Sequence, residues 1–229
     1  MRTVKAILPP VPESRNKLIT DERLTTYINS LGSSDSPFLE RIEAEALSGN
    51  VPIIRKDMQG FLKFLMVVRK PGSILEVGTG TGFSTLLMAE NTKEAHITTI
   101  EKYEKRIPTA KKNFEDSGMG ERISLIEGDA TEVLKELTGP YDFIFMDAAK
   151  GQYLNFLPDV LRLLPEGGML VTDNVLQDGD ITESRYAVCR RDRTIHARMR
   201  EYLYELTHSE MLDTTVLPIG DGVSVSVKK

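Results

Sequence analysis

Between Ser73 and Asp173 short apolar runs of strand type alternate with stretches of helical periodicity, and this alternation leaves the chain few folds to choose from. The strand-like runs cover 74–77, 96–101, 123–128, 142–147 and 169–173. Helical spacing fills 83–91, 105–117, a stretch from Thr131, and 153–164. Parallel strands cannot be joined by a tight turn, so a helix between each pair predicts a doubly wound parallel sheet covered on both faces. The tail differs. A helical pattern over about 186–206 is followed by two strand-like runs around Gly220-Asp221-Gly222, which predict an antiparallel hairpin. Ahead of the first strand, helical spacing recurs over 20–31, 37–47 and 57–68, with Asp21 and Ser36 available as caps. Residues 1–20 carry Pro9, Pro10 and Pro12 and read as an extended arm. The expected fold is α/β, a doubly wound, mostly parallel sheet with N-terminal helices and a C-terminal antiparallel hairpin, forming one domain over 21–229.

Composition narrows the function classes. With 229 residues, 40% of them apolar and 28% charged, the chain suits one domain with a large core. A single cysteine, Cys189, rules out a disulfide framework or a cysteine-based zinc cluster. No apolar run approaches the roughly 20 residues that span a bilayer and no signal-peptide core is visible, so a cytoplasmic chain without membrane contact is expected. The net charge of −5 gives no global attraction to nucleic acid, and any such binding must come from a local patch.

The chemistry-bearing residues gather where strands end. In an open α/β sheet, ligands bind outside the carboxyl ends of the strands. The first strand, with Glu76, runs into Gly78-Thr79-Gly80-Thr81-Gly82. That is a turn for a nucleotide-like ligand, although the dinucleotide fingerprint Gly-x-Gly-x-x-Gly is not met because Phe83 stands where the third glycine would be. Glu101 closes the second strand, where a carboxylate can accept ribose hydroxyls. Asp147 closes the fourth strand, and Asp173-Asn174 closes the fifth. Two carboxylates and an amide are oxygen-only donors that suit a hard divalent cation rather than zinc.

Glu76-x-Gly78-x-Gly80-x-Gly82, Glu101, Gly128-Asp129-Ala130, Asp147-Ala-Ala-Lys150-Gly-Gln-Tyr153 and Asp173-Asn174-Val175 together resemble the cation-dependent O-methyltransferases, a family that includes the catechol and caffeoyl-CoA enzymes. The resemblance covers about 36–229. It implies a Rossmann-like class I methyltransferase that uses S-adenosyl-L-methionine. Glu76, Gly78, Thr79, Gly80 and Gly82 would wrap the methionine portion, with Ser84 beside its carboxylate. Glu101 would hold the ribose, and Asp129 and Ala130 would border the adenine. Ile54, in the stretch Val51-Pro52-Ile53-Ile54, would close over the cofactor, which Asp147 would also border. Asp147, Asp173 and Asn174 would bind Mg²⁺, from which Mn²⁺ is not separated by ligand type. Lys150 would take the acceptor's proton, and the family's habit of pairing implies a homodimer, with a helix between Tyr27 and Leu47 as its interface.

For the acceptor the sequence offers a basic cluster and a small wall. Ala148 and Ala149 disfavour a stacked catechol. Arg185, Arg190, Arg191, Arg193, Arg198 and Arg200 fall within sixteen residues with only Asp192 opposing them. Ile195, Met199, Tyr202 and Leu206 would form the buried stripe of their helix. Phosphates beside the site would meet Arg190, Arg191 and Arg193. Within the family these features most resemble the bacterial tRNA 5-hydroxyuridine methyltransferases, which implies the wobble base of the tRNA anticodon loop as acceptor. A small catechol-like phenol or a caffeoyl-CoA-type thioester is the alternative, and a non-catalytic nucleotide-binding protein is the second.

Overall fold

The computed structural model describes residues 20–229, so the expected arm lies almost wholly outside the described residues. Seven strands form one sheet: β1 Ser73–Val77, β2 His96–Glu101, β3 Ile123–Glu127, β4 Phe143–Met146, β5 Met169–Thr172, β6 Leu212–Leu217 and β7 Val223–Lys228. Their spatial order is β3-β2-β1-β4-β5-β7-β6. The first five are parallel, and β7 inserts antiparallel between β5 and β6. The expected fold class is therefore correct, including the mixed edge.

Both faces of the central strands are buried, which is why they read as unbroken apolar runs rather than alternating ones. Ile74, Phe143, Phe145 and Val171 pack into one core, whereas Leu75, Val77, Ile144, Met146 and Leu170 pack into the other. The first core is closed by α2 (Pro37–Ser48), α3 (Lys56–Arg69), α4 (Phe83–Glu90) and α5 (Ile107–Asp116). The second is closed by α6 (Ala130–Glu136), α7 (Tyr153–Leu163) and α8 (Arg193–His208). In front stands α1, Glu22–Ser30, whose start is capped by Asp21 accepting from the amides of Arg23 and Leu24 at 3.0 and 3.1 Å. Ser36 caps α2 through the amide of Leu39 at 3.2 Å. Both caps match the expectation.

The arginine-rich segment departs from it. The helix starts at Arg193 rather than near Tyr186, so Arg185, Arg190 and Arg191 lie on turns ahead of it. The cause is local: Arg193 Nε donates to the Val188 carbonyl and Nη2 to that of Tyr186, each at 3.2 Å, satisfying carbonyls that a continuing helix would have paired with its own amides. The buried stripe also shifts by one, with His196 taking the place expected of Ile195 beside Met199, Tyr202 and Leu206.

Candidate active site

The chain order reverses direction between β1 and β4, and the crevice opens at that switch point, as the geometry of doubly wound sheets requires. A cavity of about 610 Å³ occupies it. One half is walled by the β1–α4 turn, Glu101 to Tyr103 and Gly128 to Ala130; the other by Asp147 to Lys150, Asp173, Asn174 and Asp221.

Gly78 joins the two halves. Its φ of +105° is open to glycine and strained for other residues, and a Cβ there would lie 2.1 Å from the carbonyl oxygen of Asp147. The turn after β1 thus lies directly against the backbone that carries Asp147. Amide hydrogen bonds continue the register past the strand ends: Gly78 N to Ile100 O at 3.0 Å, Asp147 N to Val77 O at 3.0 Å, and Asp173 N to Met146 O at 3.0 Å. Glu101 accepts from the amide of Gly80 at 2.8 Å through Oε2, and from those of Lys102 and Tyr103 at 2.9 and 2.8 Å through Oε1. These bonds aim its carboxylate at the turn and leave a lone pair on Oε2 for a hydroxyl.

The other expected cofactor residues divide in two. Ile54, Gly78, Thr79, Gly80, Ser84, Asp129 and Ala130 line the cavity. Glu76 and Gly82 stand behind its wall. Glu76 is fully buried and accepts from the hydroxyls of Ser84, Thr85 and Thr99, so it braces the turn from within the core. Burial pushes its carboxyl up to about 7 against the pull of those three hydroxyls, with the charge of Asp147 adding to the rise. Asp129 caps α6 through the amide of Thr131 at 2.9 Å, which holds its carboxyl below the usual range, helped by Lys102 at 3.2 Å.

Asp147 and Asp173 face each other in the second half. Burial raises both carboxyls; Lys150 and Arg106 oppose the rise at Asp147, and the charge of Asp147 adds to it at Asp173. Asn174 adopts φ +59° and turns its Nδ2 toward Asp221 Oδ2 at 3.4 Å, leaving its amide oxygen available. Among the described residues no three carboxylate, imidazole or thiolate groups converge into a ready-made cage. The fit of a cation rests instead on donor chemistry, since the buried Asp173 and the half-buried Asp147, mutually repelling carboxylates beside an amide, are stabilised by a hard divalent charge. Tyr153, the first residue of α7, ties the two loops together: its buried hydroxyl is shared between the carbonyls of Ala148 at 3.2 Å and Asp173 at 3.3 Å. Lys150 opens a short 3₁₀ turn and lines the same half.

Among the lining residues that escaped the sequence reading, Asp221 and Arg55 form a charged pair. Asp221, at the tip of the β6–β7 hairpin, enters the cavity, where burial and then the neighbouring Asp178 push its carboxyl up to about 6. Arg55 forms ion pairs with Asp221 and, at 2.8 Å, with Asp178. Gly220-Asp221-Gly222 was legible only as a turn, and Arg55 had no signal because its partners lie more than a hundred positions away. Arg190, Arg191 and Arg193 do not line the cavity. Their segment reaches its rim through Arg198, whose Nη1 donates to the Gly151 carbonyl at 2.8 Å.

The sequence of residues 30–229 matches the model of the O-methyltransferase family. A catechol O-methyltransferase of Niastella koreensis is 33% identical over 169 residues, covering 71% of this chain and 76% of that protein. A caffeoyl-CoA O-methyltransferase of Medicago sativa is 30% identical over 191 residues, covering 77% and 74%. The crystal structure of an SAH-bound methyltransferase from Podospora anserina superposes with a TM-score of 0.80 at 26% identity, covering 97% of this chain and 100% of that one.

Proposed function

Since the chain belongs to the cation-dependent, S-adenosylmethionine-using O-methyltransferase family, we propose that its acceptor is the 5-hydroxyl of wobble 5-hydroxyuridine in tRNA, methylated to 5-methoxyuridine with Mg²⁺ or Mn²⁺ held by Asp147, Asp173 and Asn174. The chain is an enzyme, so the non-catalytic reading drops out. In this reading Ile54, the turn from Gly78 and Ser84 enclose the methionine end of the cofactor, Glu101 receives the ribose, and Asp129 with Ala130 borders the adenine. Glu76 serves from behind by keeping that turn rigid. The bound cation supplies positive charge that lowers the pKa of the acceptor hydroxyl and fixes its oxygen. Lys150 would take that proton, and the cofactor would supply the methyl group to the acceptor oxygen, its sulfur keeping the electrons of the C–S bond.

The observation that carries the acceptor is the tie between the arginine-rich segment and the cavity rim, the Arg198 bond to Gly151, one residue past Lys150. It sets positive charge beside an opening in an otherwise acidic protein. A single-stranded anticodon base can be splayed into such a cavity without breaking a pair. A small phenolic or caffeoyl-CoA-type acceptor is the second reading, favoured by the names of the Niastella and Medicago relatives.

Residues 21–229 act as one catalytic domain in the cytoplasm, paired as a homodimer. The dimer reading is supported by α1, which buries no residue and leaves Leu24, Tyr27 and Ile28 exposed. The test of the acceptor is transfer of labelled methyl with and without EDTA, offering tRNA that carries unmethylated 5-hydroxyuridine beside a catechol and caffeoyl-CoA. Label in tRNA that chelation removes and Mg²⁺ restores is the expected result. Label in the phenols alone overturns the tRNA acceptor, and activity that survives thorough chelation overturns the cation.

A further inference from the structure

We propose that Tyr186 is a stacking platform for a base of the single-stranded acceptor RNA, with the exposed arginines around it holding the adjoining phosphates; this deepens the tRNA reading and rests on it. Tyr186 is 84% exposed, more than the other large apolar side chains of the described residues. A ring so exposed buries little apolar surface, yet its backbone is held firmly. Its amide donates to Ser184 Oγ at 3.2 Å, and its carbonyl accepts from Arg193 Nη2 at 3.2 Å. The guanidinium of Arg193 also lies over the ring, 5.8 Å from its centroid, and bonds the carbonyl of the buried Val188. Arg193 is therefore committed to fixing the tyrosine rather than to meeting a phosphate.

The charge around the ring is mostly positive, with Asp192 paired to Arg191 at 3.4 Å. Arg185, Arg190 and Arg191 are exposed on the same turns, and from Arg185 to Arg200 six arginines face one aspartate. An aromatic face among such cations is the composition that binds single strands, since each base offers a π-face for stacking and the backbone supplies negative charge. The platform is anchored to the active site. Arg198 bonds Gly151, which sits between the lining residues Lys150 and Gln152, and Arg200 Nη1 bonds the Ile181 carbonyl at 3.3 Å, so α8 is tied to the cavity rim and to the turn that follows Asn174.

The test is the affinity of the full chain for an anticodon stem-loop RNA carrying 5-hydroxyuridine at the wobble position, read by fluorescence anisotropy across a salt series. Tyr186→Ala should raise Kd about tenfold, whereas Tyr186→Phe should stay within about twofold of the unmutated chain. The slope of log Kd against log salt should be unchanged in Tyr186→Ala, which removes no charge, and shallower in Arg190→Ala with Arg191→Ala. S-adenosylmethionine affinity by calorimetry should hold in both. If Tyr186→Ala binds the stem-loop as well as the unmutated chain, the platform is wrong and the tRNA reading survives. If the unmutated chain does not bind the stem-loop, the tRNA reading falls and takes the platform with it. A loss in Tyr186→Phe equal to that in Tyr186→Ala would mean a hydroxyl contact and overturn stacking. A change in molecular mass by light scattering in Tyr186→Ala, with Kd unmoved, would assign the ring to a contact between copies.

Discussion

At the scale of single residues, burial decides which groups hold protons and which await a partner. Glu76 has its carboxyl raised from 4.5 to about 7. A folded-state pKa above the unfolded one means that the folded chain binds the extra proton, so the stability Glu76 contributes is full below about pH 4.5 and is lost as pH rises through about 7. Glu76→Gln should therefore gain on the unmutated chain as pH rises from 5 to 8, by on the order of 3 kcal/mol, and urea unfolding at several pH values checks it. Lys150→Ala should lower kcat by about 10² or more while S-adenosylmethionine affinity, measured separately, is retained. An effect on KM alone would make Lys150 a positioning group. Asp147, Asp173 and Lys150 were legible in the sequence because each closes a strand or follows within one turn of its end. Asp221 and Arg55 were not, since they meet across the fold from hairpin and pre-helix segments whose local patterns announce only a turn and a helix start.

At the scale of elements, the strand–helix alternation gave nearly every unit, since strands buried on both faces read as short unbroken apolar runs that stand out against the 3.6-residue period of the helices covering them. The helix start at Arg193 was the miss. A guanidinium that captures two carbonyls competes with a helical turn, and no residue pattern marks that competition in advance. Another tether of this kind acts between elements. By bonding the carbonyls that follow Asp147 and belong to Asp173, the Tyr153 hydroxyl sets the separation of the loops after β4 and β5. Tyr153→Phe removes that tether at almost no change in volume. It should weaken Mn²⁺ binding about fivefold, the worth of about one hydrogen bond, with S-adenosylmethionine affinity held. Paramagnetic titration of free Mn²⁺ checks it, and unchanged affinity would reduce the hydroxyl to a packing role.

At the scale of the whole molecule, α1 presents an apolar face that the other described residues do not cover, with Leu31 just beyond its end also exposed. Light scattering should return twice the chain mass of 25.6 kDa, and Leu24→Asp with Ile28→Asp should return a single copy. No helix among the described residues is long and apolar enough to cross a membrane. The contact of Gly78 with the Asp147 backbone has a wider consequence. The proposed cofactor half and the proposed cation ligands share one seam of main chain, whereas Arg55, paired with Asp178 of the segment after Asn174, and Asp221 of the hairpin tip line the cavity from outside the parallel strands. Such a body behaves like a chuck with an exchangeable bit. Grafting a relative's residues 175–192 together with its hairpin tip should change which hydroxyl is methylated and leave the transfer machinery running.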